Sequence, residues 1–167
     1  LGYAMNMGDF APETFDFVYA NNFLHCLGQP GFEELPVRVR REALRCSALT
    51  GEIAREFGIE VVPPEERVRK AFYEASRLLA SGGVFFGRTQ HSYVNEERLK
   101  ELGSKERVSR EEFVFRTTQA LIDGELFGMT EPQMVSYARG SGFSRFHTIR
   151  DHDAQSPIGV VYFRFEK

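Results

Sequence analysis

The polar residues that follow the first apolar run are the first candidates for chemistry. Asn21 and Asn22 come directly after the apolar run of residues 15–20, and His25 lies on the helical turn beyond them. Asparagine offers a donor and an acceptor and tolerates left-handed backbone, so the pair serves either to contact a ligand or to turn the chain. An imidazole titrates near working pH, so His25 is a candidate general base; the alternative is a hydrogen-bonded support for the corner.

Two other places in the chain carry candidate residues. Gly8-Asp9-Phe10 precedes the apolar run and combines a carboxylate, which only accepts hydrogen bonds, with an aromatic ring suited to stacking. The alternative for Asp9 is a cap on a turn. Arg88 and His91 follow a second apolar run, residues 84–87. His91 is a second candidate catalytic residue, whereas Arg88 serves either to pair with an acidic substrate or as an ordinary surface ion pair.

The apolar pattern predicts the strand and helix that position the first of these residues. Residues 15–20 form a nearly continuous apolar run, typical of a β-strand that is buried on both faces. Over residues 35–57, apolar side chains recur at steps of three and four, which indicates a helix that Gly58 ends. Asn21 is therefore expected at the carboxyl end of a strand, where open α/β sheets bind their ligands.

A second helix and strand are predicted to follow. Pro63-Pro64 is accommodated in a first helical turn, and Glu65-Glu66 suits the positive end of the helix dipole. Gly82-Gly83 is expected to stop this helix with left-handed backbone, after which residues 84–87 form a strand. The simplest interpretation is a helix that runs into a central parallel strand.

The rest of the chain predicts a lid, a short helix and a hairpin. Residues 90–129 are less regular, with glycines among two short amphipathic stretches, 96–102 and 110–121, and they are interpreted as a lid or insertion. Thr130 predicts a helix start, with Pro132 in the first turn. Residues 143–150 and 158–165 alternate apolar and polar side chains around a turn, which predicts two antiparallel strands.

Composition limits the partners. The 167 residues are 42% hydrophobic, enough for one domain with a proper core. A formal net charge of -3 provides no broad basic field for a phosphate backbone, so nucleic acid is not an expected partner. The apolar runs are about half as long as a membrane span needs, and no signal pattern begins the chain, so no membrane partner is expected either. Two cysteines favour a reducing, cytoplasmic location.

Other site chemistries lack their motifs. His147 and His152 flank Asp151 and Asp153, but no further histidine or cysteine completes a ligand set, so no metal is expected. The chain also has no Gly-x-Ser-x-Gly elbow, phosphate-binding loop or Cys-x-x-Cys pair.

Together, these segments resemble the carboxyl-terminal half of a class I S-adenosylmethionine-dependent methyltransferase. The predicted element order is similar to that family's fold from its fourth strand onward, and residues 140–151 resemble the helix end and strand that lead into its closing hairpin. The resemblance implies an α/β, Rossmann-like sheet of parallel strands, with a terminal antiparallel hairpin that inserts one strand between two others. Residues 1–167 would then be a partial methyltransferase domain, with 28–63 and 90–129 as helical insertions.

The resemblance also implies roles for individual residues. Asp9 aligns with the acid that accepts a hydrogen bond from the adenine amino group, and Phe10 packs near that ring. Asn21 and Asn22 align with residues that face the methionine end of the cofactor and the methyl acceptor. The cofactor-binding candidates for S-adenosylmethionine are thus Gly8, Asp9, Phe10, Asn21 and Asn22, and the catalytic candidates are His25 and His91.

The expected activity is methyl transfer to a small, apolar molecule, but the family's glycine-rich loop is absent. Leu1 in place of an initiator methionine suggests a fragment, so we expect either a missing amino-terminal half or a homodimer that covers the open sheet edge. One alternative is a non-catalytic partner subunit that pairs with an active methyltransferase through that edge. Another is an unrelated α/β binding module.

Overall fold

The computed structural model describes residues 7–21, 24, 64–104, 111–112, 114–116, 118, 128–151 and 156–167. Its strands and helices are β1 (Phe15–Asn21), α1 (Pro64–Leu78), β2 (Leu79–Val94), α2 (Glu96–Gly103), α3 (Glu131–Gly140), β3 (Arg145–Asp151) and β4 (Ile158–Glu166). The helix predicted over residues 35–57, together with Asn22 and His25, lies outside the described residues. No helix in this part of the chain is long and apolar enough to cross a bilayer.

The four described strands form one mixed sheet in the order β1-β2-β4-β3. β1 runs parallel to β2, whereas β4 is antiparallel to both β2 and β3. The last strand in the chain is therefore inserted between two strands that run parallel to each other. This arrangement confirms the predicted α/β sheet with a closing antiparallel hairpin.

The period-two alternation of β2 and β4 builds the core. Phe85 of β2 and Phe163 and Phe165 of β4 face α1, where Phe72 is fully buried. The ring centroid of Phe72 lies 5.5 Å from that of Phe85 and 6.0 Å from that of Phe165. Burial of each such ring stabilises the fold by about 1.5–3 kcal/mol, and edge-on ring geometry adds to it. Met134 of α3 joins the same cluster, so both helices cover one face of the sheet.

β1 forms where the sequence predicts it, but the expected burial on both faces is wrong. Val18 and Ala20 pack toward the core, whereas Phe17 and Tyr19 are 66% and 57% exposed. The physical reason is that α1 and α3 lie on the same face of the sheet, and no element of the described ranges covers these two rings.

The junction between α1 and β2 also differs from the prediction. The helix ends before Gly82 is reached, because Leu79 is already paired with Phe15 of β1. Gly82 has a left-handed φ of 76°, but it lies in an irregularity of β2 that separates this pair from the next one, Phe17 with Val84. Strand pairing satisfies backbone N–H and C=O groups that a further helical turn would otherwise have to satisfy.

Helix α3 begins at the predicted residue. The Thr130 side chain accepts a hydrogen bond of 3.4 Å from the backbone N–H of Gln133, and Gln133 Oε1 accepts one of 2.9 Å from the backbone N–H of Thr130. Pro132 lies in the first turn, where its missing N–H has no helical partner to lose. The reciprocal capping fixes the start of the helix beside the carboxyl end of β2.

We expect Gly87→Ala to destabilise the sheet strongly. A Cβ at residue 87 would overlap the carbonyl oxygen of Ala20 and lie 2.7 Å from its carbonyl carbon, because β1 approaches β2 closely there. Backbone cannot yield without loss of ladder hydrogen bonds, so the free energy of unfolding should fall by about 2–3 kcal/mol. Urea unfolding followed by circular dichroism measures this change. Gly140→Ala is the matched control, since nothing lies within 4 Å of a Cβ there. Equal effects of the two substitutions would contradict the close approach.

Candidate functional site

The carboxyl ends of β1 and β2 bring Asn21 and Arg88 together. The two residues are register partners, and Arg88 Nε donates a hydrogen bond of 2.8 Å to Asn21 Oδ1. Asn21 is exposed and Arg88 is half-buried. Side chains at this edge of a parallel sheet are held by the strands yet face the crevice in which ligands bind. The structure therefore places Asn21 at this edge of the sheet, as predicted.

His91 lies further along β2 and is only 4% exposed. Its Nε2 lies 2.8 Å from Glu131 Oε2 at the start of α3, and its Nδ1 accepts a hydrogen bond of 2.8 Å from the backbone N–H of Tyr93. Because Nδ1 is an acceptor, the neutral ring carries its proton on Nε2 and donates it to Glu131. Both ring nitrogens are thus engaged. The catalytic role assigned to His91 stays a prediction, and this geometry favours a positioning role that ties β2 to α3.

Glu131 is the anionic partner in this contact. Burial alone would raise the pKa of its carboxyl, but its own backbone N–H, the hydrogen bond with His91 and the charge of Arg150 together hold the pKa below the ordinary value. Arg150 Nε of β3 lies 3.5 Å from Glu131 Oε1. One carboxylate therefore connects the ends of β2, α3 and β3.

The turn that carries Gly8-Asp9-Phe10 is attached to the last turn of α1. Arg77 donates hydrogen bonds of 2.9 Å to the carbonyl oxygen of Met7 and 3.0 Å to that of Phe10, and Glu74 Oε2 accepts one of 3.0 Å from the backbone N–H of Met7. Glu74 and Arg77 also form an ion pair of 2.8 Å in which both side chains are largely buried. The Phe10 ring packs edge-on against Phe15 at a centroid distance of 5.5 Å.

The structure does not bring Asp9 and Asn21 together. Asp9 lies in the turn that α1 holds near Phe15, at the amino end of β1, whereas Asn21 is the last residue of that strand. Six residue steps of extended strand separate the two ends by about 20 Å. The contact of Gly8, Asp9 and Phe10 with a cofactor stays a prediction, but the expected cradle that combines Asp9 with Asn21 is not formed, because the two groups lie at opposite edges of the sheet.

The sheet face opposite the helices carries an apolar groove, named here the aromatic groove. It has a volume of about 730 Å³ and runs across β1, β2 and β4. The ring centroid of Phe86 lies 5.0 Å from that of Tyr19 and 6.3 Å from that of Phe17. Side chains that line the groove include Phe17, Tyr19, Phe86, Arg88, Tyr162 and Arg164.

The architecture is similar to a solved methyltransferase structure. Over 99% of this chain, it matches an S-adenosylmethionine-dependent methyltransferase from Thermotoga maritima, described as a possible histamine N-methyltransferase, with a TM-score of 0.51 and 15% identity. The chain has the class I methyltransferase fold. It spans 62% of the length of that protein.

Two further solved structures match the chain, whereas searches of family models and curated proteins found no match. A possible exported protein from Bordetella parapertussis matches 99% of this chain over 42% of its own length, with a TM-score of 0.50 and 11% identity. A methyltransferase from Methanosarcina mazei matches 98% of the chain over 64% of its own length, with a TM-score of 0.49 and 11% identity. No protein-family model matches the sequence, and no curated protein matches it significantly.

Within the methyltransferase fold, sequence reasoning missed three residues at the carboxyl edge. They are Gln90, Glu131 and Tyr162, none of which the sequence patterns single out. The signal that could have found Gln90 is strand alternation, which puts it on the same face as Phe86 and Arg88. Among the described residues, no three His, Cys, Asp or Glu side chains are grouped so as to hold a metal ion.

We expect Glu74→Gln to lower the melting temperature most near neutral pH. The hydrogen bond from Arg77 holds the pKa of the Glu74 carboxyl below its ordinary value of 4.5, against the opposing effect of burial and with help from the Met7 N–H. A carboxyl whose folded pKa is depressed stabilises the fold fully above the unfolded pKa, and that contribution is lost as the pH falls through the folded pKa. The difference in melting temperature between wild type and variant should therefore shrink as the pH falls below 4.5.

Thermal melts of both proteins from neutral pH into acid measure this effect. Glu97→Gln, at an exposed position in the first turn of α2, is the control and should show a small difference at every pH. If Glu74→Gln lowered the melting temperature equally at neutral and at acid pH, the claim that the ionised Glu74 attaches the turn to α1 would be contradicted.

We expect His91 to carry its proton on Nε2 in the neutral ring. The backbone N–H of Tyr93 points at Nδ1 and leaves no room for a second hydrogen there, while Glu131 accepts the Nε2 proton. Long-range ¹H–¹⁵N correlation spectra of the imidazole distinguish the two tautomers. Glu131→Gln should leave Nδ1 unprotonated, because the Tyr93 contact is unchanged. A protonated Nδ1 in the wild type would show that the ring is not held in this way.

Proposed function

We propose that this chain supplies the carboxyl-terminal part of a methyltransferase domain that transfers a methyl group from S-adenosylmethionine to a small, largely apolar acceptor. The observation that carries the proposal is the insertion of antiparallel β4 between β2 and β3, in a sheet that matches the Thermotoga maritima methyltransferase. When bound, S-adenosylmethionine supplies an electrophilic methyl group on a sulfonium. The contribution of this chain is alignment and exclusion of water at the carboxyl edge of the sheet.

The residues at that edge fit part of such a cofactor. Gln90 is 8% exposed, and its Oε1 is a buried acceptor with no hydrogen-bond partner among the residues that the structure describes. An ammonium or hydroxyl donor on a ligand would satisfy this atom, which otherwise costs free energy. Asn21 contributes a side-chain amide at the same edge, where its Oδ1 accepts the hydrogen bond from Arg88. Asp9 does not fit the same pocket, since it lies at the opposite edge.

The acceptor proton requires a base. Both ring nitrogens of His91 are engaged, so we assign the role of general base to His25, which lies beyond Asn22 in the sequence. The amino-terminal part of the cofactor site would come from a preceding segment or from a partner. The open face of β1, where Phe17 and Tyr19 are exposed, supports this division.

The test is isothermal titration with S-adenosylhomocysteine. We expect the 167-residue chain alone to bind on the order of a hundredfold more weakly than a polypeptide extended by its upstream coding sequence, because half of the pocket is missing. Failure of the extended polypeptide to bind would contradict the methyltransferase assignment. Micromolar binding by the 167-residue chain as a monomer would contradict the half-site.

A second candidate function is a non-catalytic subunit that pairs through the open edge of β1. It is favoured by the exposed Phe17 and Tyr19 and by the absence of any hydrogen-bonded strand on the outer side of β1 within the described ranges. Light scattering distinguishes the two candidates: a stable complex with an active methyltransferase, with no cofactor binding by the extended polypeptide, would favour the subunit.

A further inference from the structure

Strand β3 lies at the edge of the sheet and has the properties of a strand that can pair with another chain. Within the described ranges it ends the sheet, and its strand neighbour there is β4. All seven of its residues pair with β4 in continuous register, and none of them is proline or glycine. Proteins often protect an edge with a bulge, a proline or a very short strand. The outer side of β3 has none of these devices and can accept a further strand.

The side chains of β3 are exposed at a place distinct from the open face of β1. The side chains of Arg145 and Arg150 are 81% and 49% exposed, and Ile149 is 55% exposed. In the strand order β1-β2-β4-β3, these residues lie at the opposite edge of the sheet from β1. The segment or partner proposed to cover β1 therefore attaches at the other side of the sheet.

The charges of β3 are complementary to those of the same strand in reverse. In an antiparallel pair, side chains that lie opposite each other share a face, so a slip of one residue is excluded. With Thr148 opposite Thr148, Arg145 lies opposite Asp151 of a second copy, and two-fold symmetry repeats this pair. All seven residues of the strand then have a partner. A slip of two residues in either direction removes both pairs of opposite charge.

Within one chain, the two ends of β3 differ in what they face on β4. Arg145 is opposite Glu166, and their nitrogen and oxygen lie 3.2 Å apart. Asp151 is opposite Val160, an apolar residue. A second copy would place Asp151 opposite an arginine and would extend the row from Glu166 through Arg145 with alternating sign. Opposite charges directly across a strand pair stabilise it, whereas like charges destabilise it.

We propose that β3 pairs antiparallel with β3 of a second copy of this chain, in the register centred on Thr148. The two sheets then form one continuous sheet, and the two Ile149 side chains become diagonal neighbours across the new strand pair. Because β3 runs parallel to β1 and β2, this pairing places the carboxyl edges of the two sheets at opposite ends of the dimer. The dimer leaves β1 open, so it does not supply the missing part of the proposed cofactor site.

Sedimentation velocity of the 167-residue chain over a range of concentrations tests the proposal. We expect a reversible dimer with a dissociation constant on the order of ten micromolar, because an interface made by one edge strand is small. Arg145→Asp and Asp151→Arg each place like charges opposite each other in both pairs. Each variant should therefore associate at least about tenfold more weakly than the wild type.

An equimolar mixture of these two variants gives the sharpest result. In the mixed dimer both pairs again join opposite charges, so the mixture should associate at least about tenfold more tightly than either variant alone. Recovery in the mixture also shows that both variants are folded, and thermal melts measure this independently.

Arg164→Asp is the matched control. Arg164 is 58% exposed, lies on the same face as Arg145 and also pairs with Glu166, but it belongs to β4 rather than to the edge strand. This variant makes the same reversal of charge and should associate like the wild type. A loss of association equal to that in Arg145→Asp would show that net charge, not the β3 register, controls it.

Three further results would overturn the proposal. One is a wild-type chain that stays monomeric at the highest concentration. Another is a dimer that Arg145→Asp and Asp151→Arg leave unchanged, since its interface would then lie elsewhere, for example at β1. The third is weak association of both variants that their mixture does not restore. The proposal does not rest on the methyltransferase assignment, which the titration with S-adenosylhomocysteine tests separately.

Discussion

The packing of phenylalanines from β2 and β4 against Phe72 is the interaction on which the rest of the structure depends. Because side chains alternate along a strand, burial of Phe85 and Phe165 on the helix side forces their sequence neighbours Phe86 and Arg164 to the other side. The same choice of face that forms the core therefore forms the aromatic groove. A slip of one residue in register would exchange the two sets of side chains.

The direction of β1 divides the polar groups of the chain into two sets. At the amino end, Glu74 and Arg77 attach the turn before β1 to the end of α1. At the carboxyl end, Asn21 holds Arg88, and His91 joins β2 to Glu131. Parallel sheets bind ligands at the carboxyl end because the loops that leave the strands converge there. The first set is thus placed to hold the fold together, whereas the second lies at the edge of the sheet where such ligands bind.

The exposed rings of β1 relate the fold to its proposed role. A chain that spans 62% of a similar methyltransferase has a sheet whose first described strand lacks an outer neighbour within the described ranges. Toward β3 the same face becomes charged, with Arg145 and Arg164 both paired to Glu166. The apolar character is therefore concentrated at β1 and β2, beside Arg88. This gradient is the physical basis for the proposal that a preceding segment or a partner covers β1.

Over the described residues, the sequence by itself determined the order of β1, α1, β2, α3, β3 and β4, although not the junction between α1 and β2. Local signals sufficed for this: the Thr130 capping box fixes the start of α3, and the alternation of residues 158–165 predicts β4. The resemblance of these segments to a methyltransferase then anticipated the inserted antiparallel strand. All of these depend on residues close together in the chain.

Only the tertiary structure decided which faces are covered and which side chains meet. The apolar run of β1 predicts burial on both faces, but whether Phe17 is covered depends on elements far away in sequence. Likewise, residue types at Asp9 and Asn21 suggest one site, yet the length of β1 holds them at opposite edges. The pairs Asn21 with Arg88 and His91 with Glu131 join residues 67 and 40 positions apart. Contacts of that range are set by strand register and helix placement, which local sequence patterns do not encode.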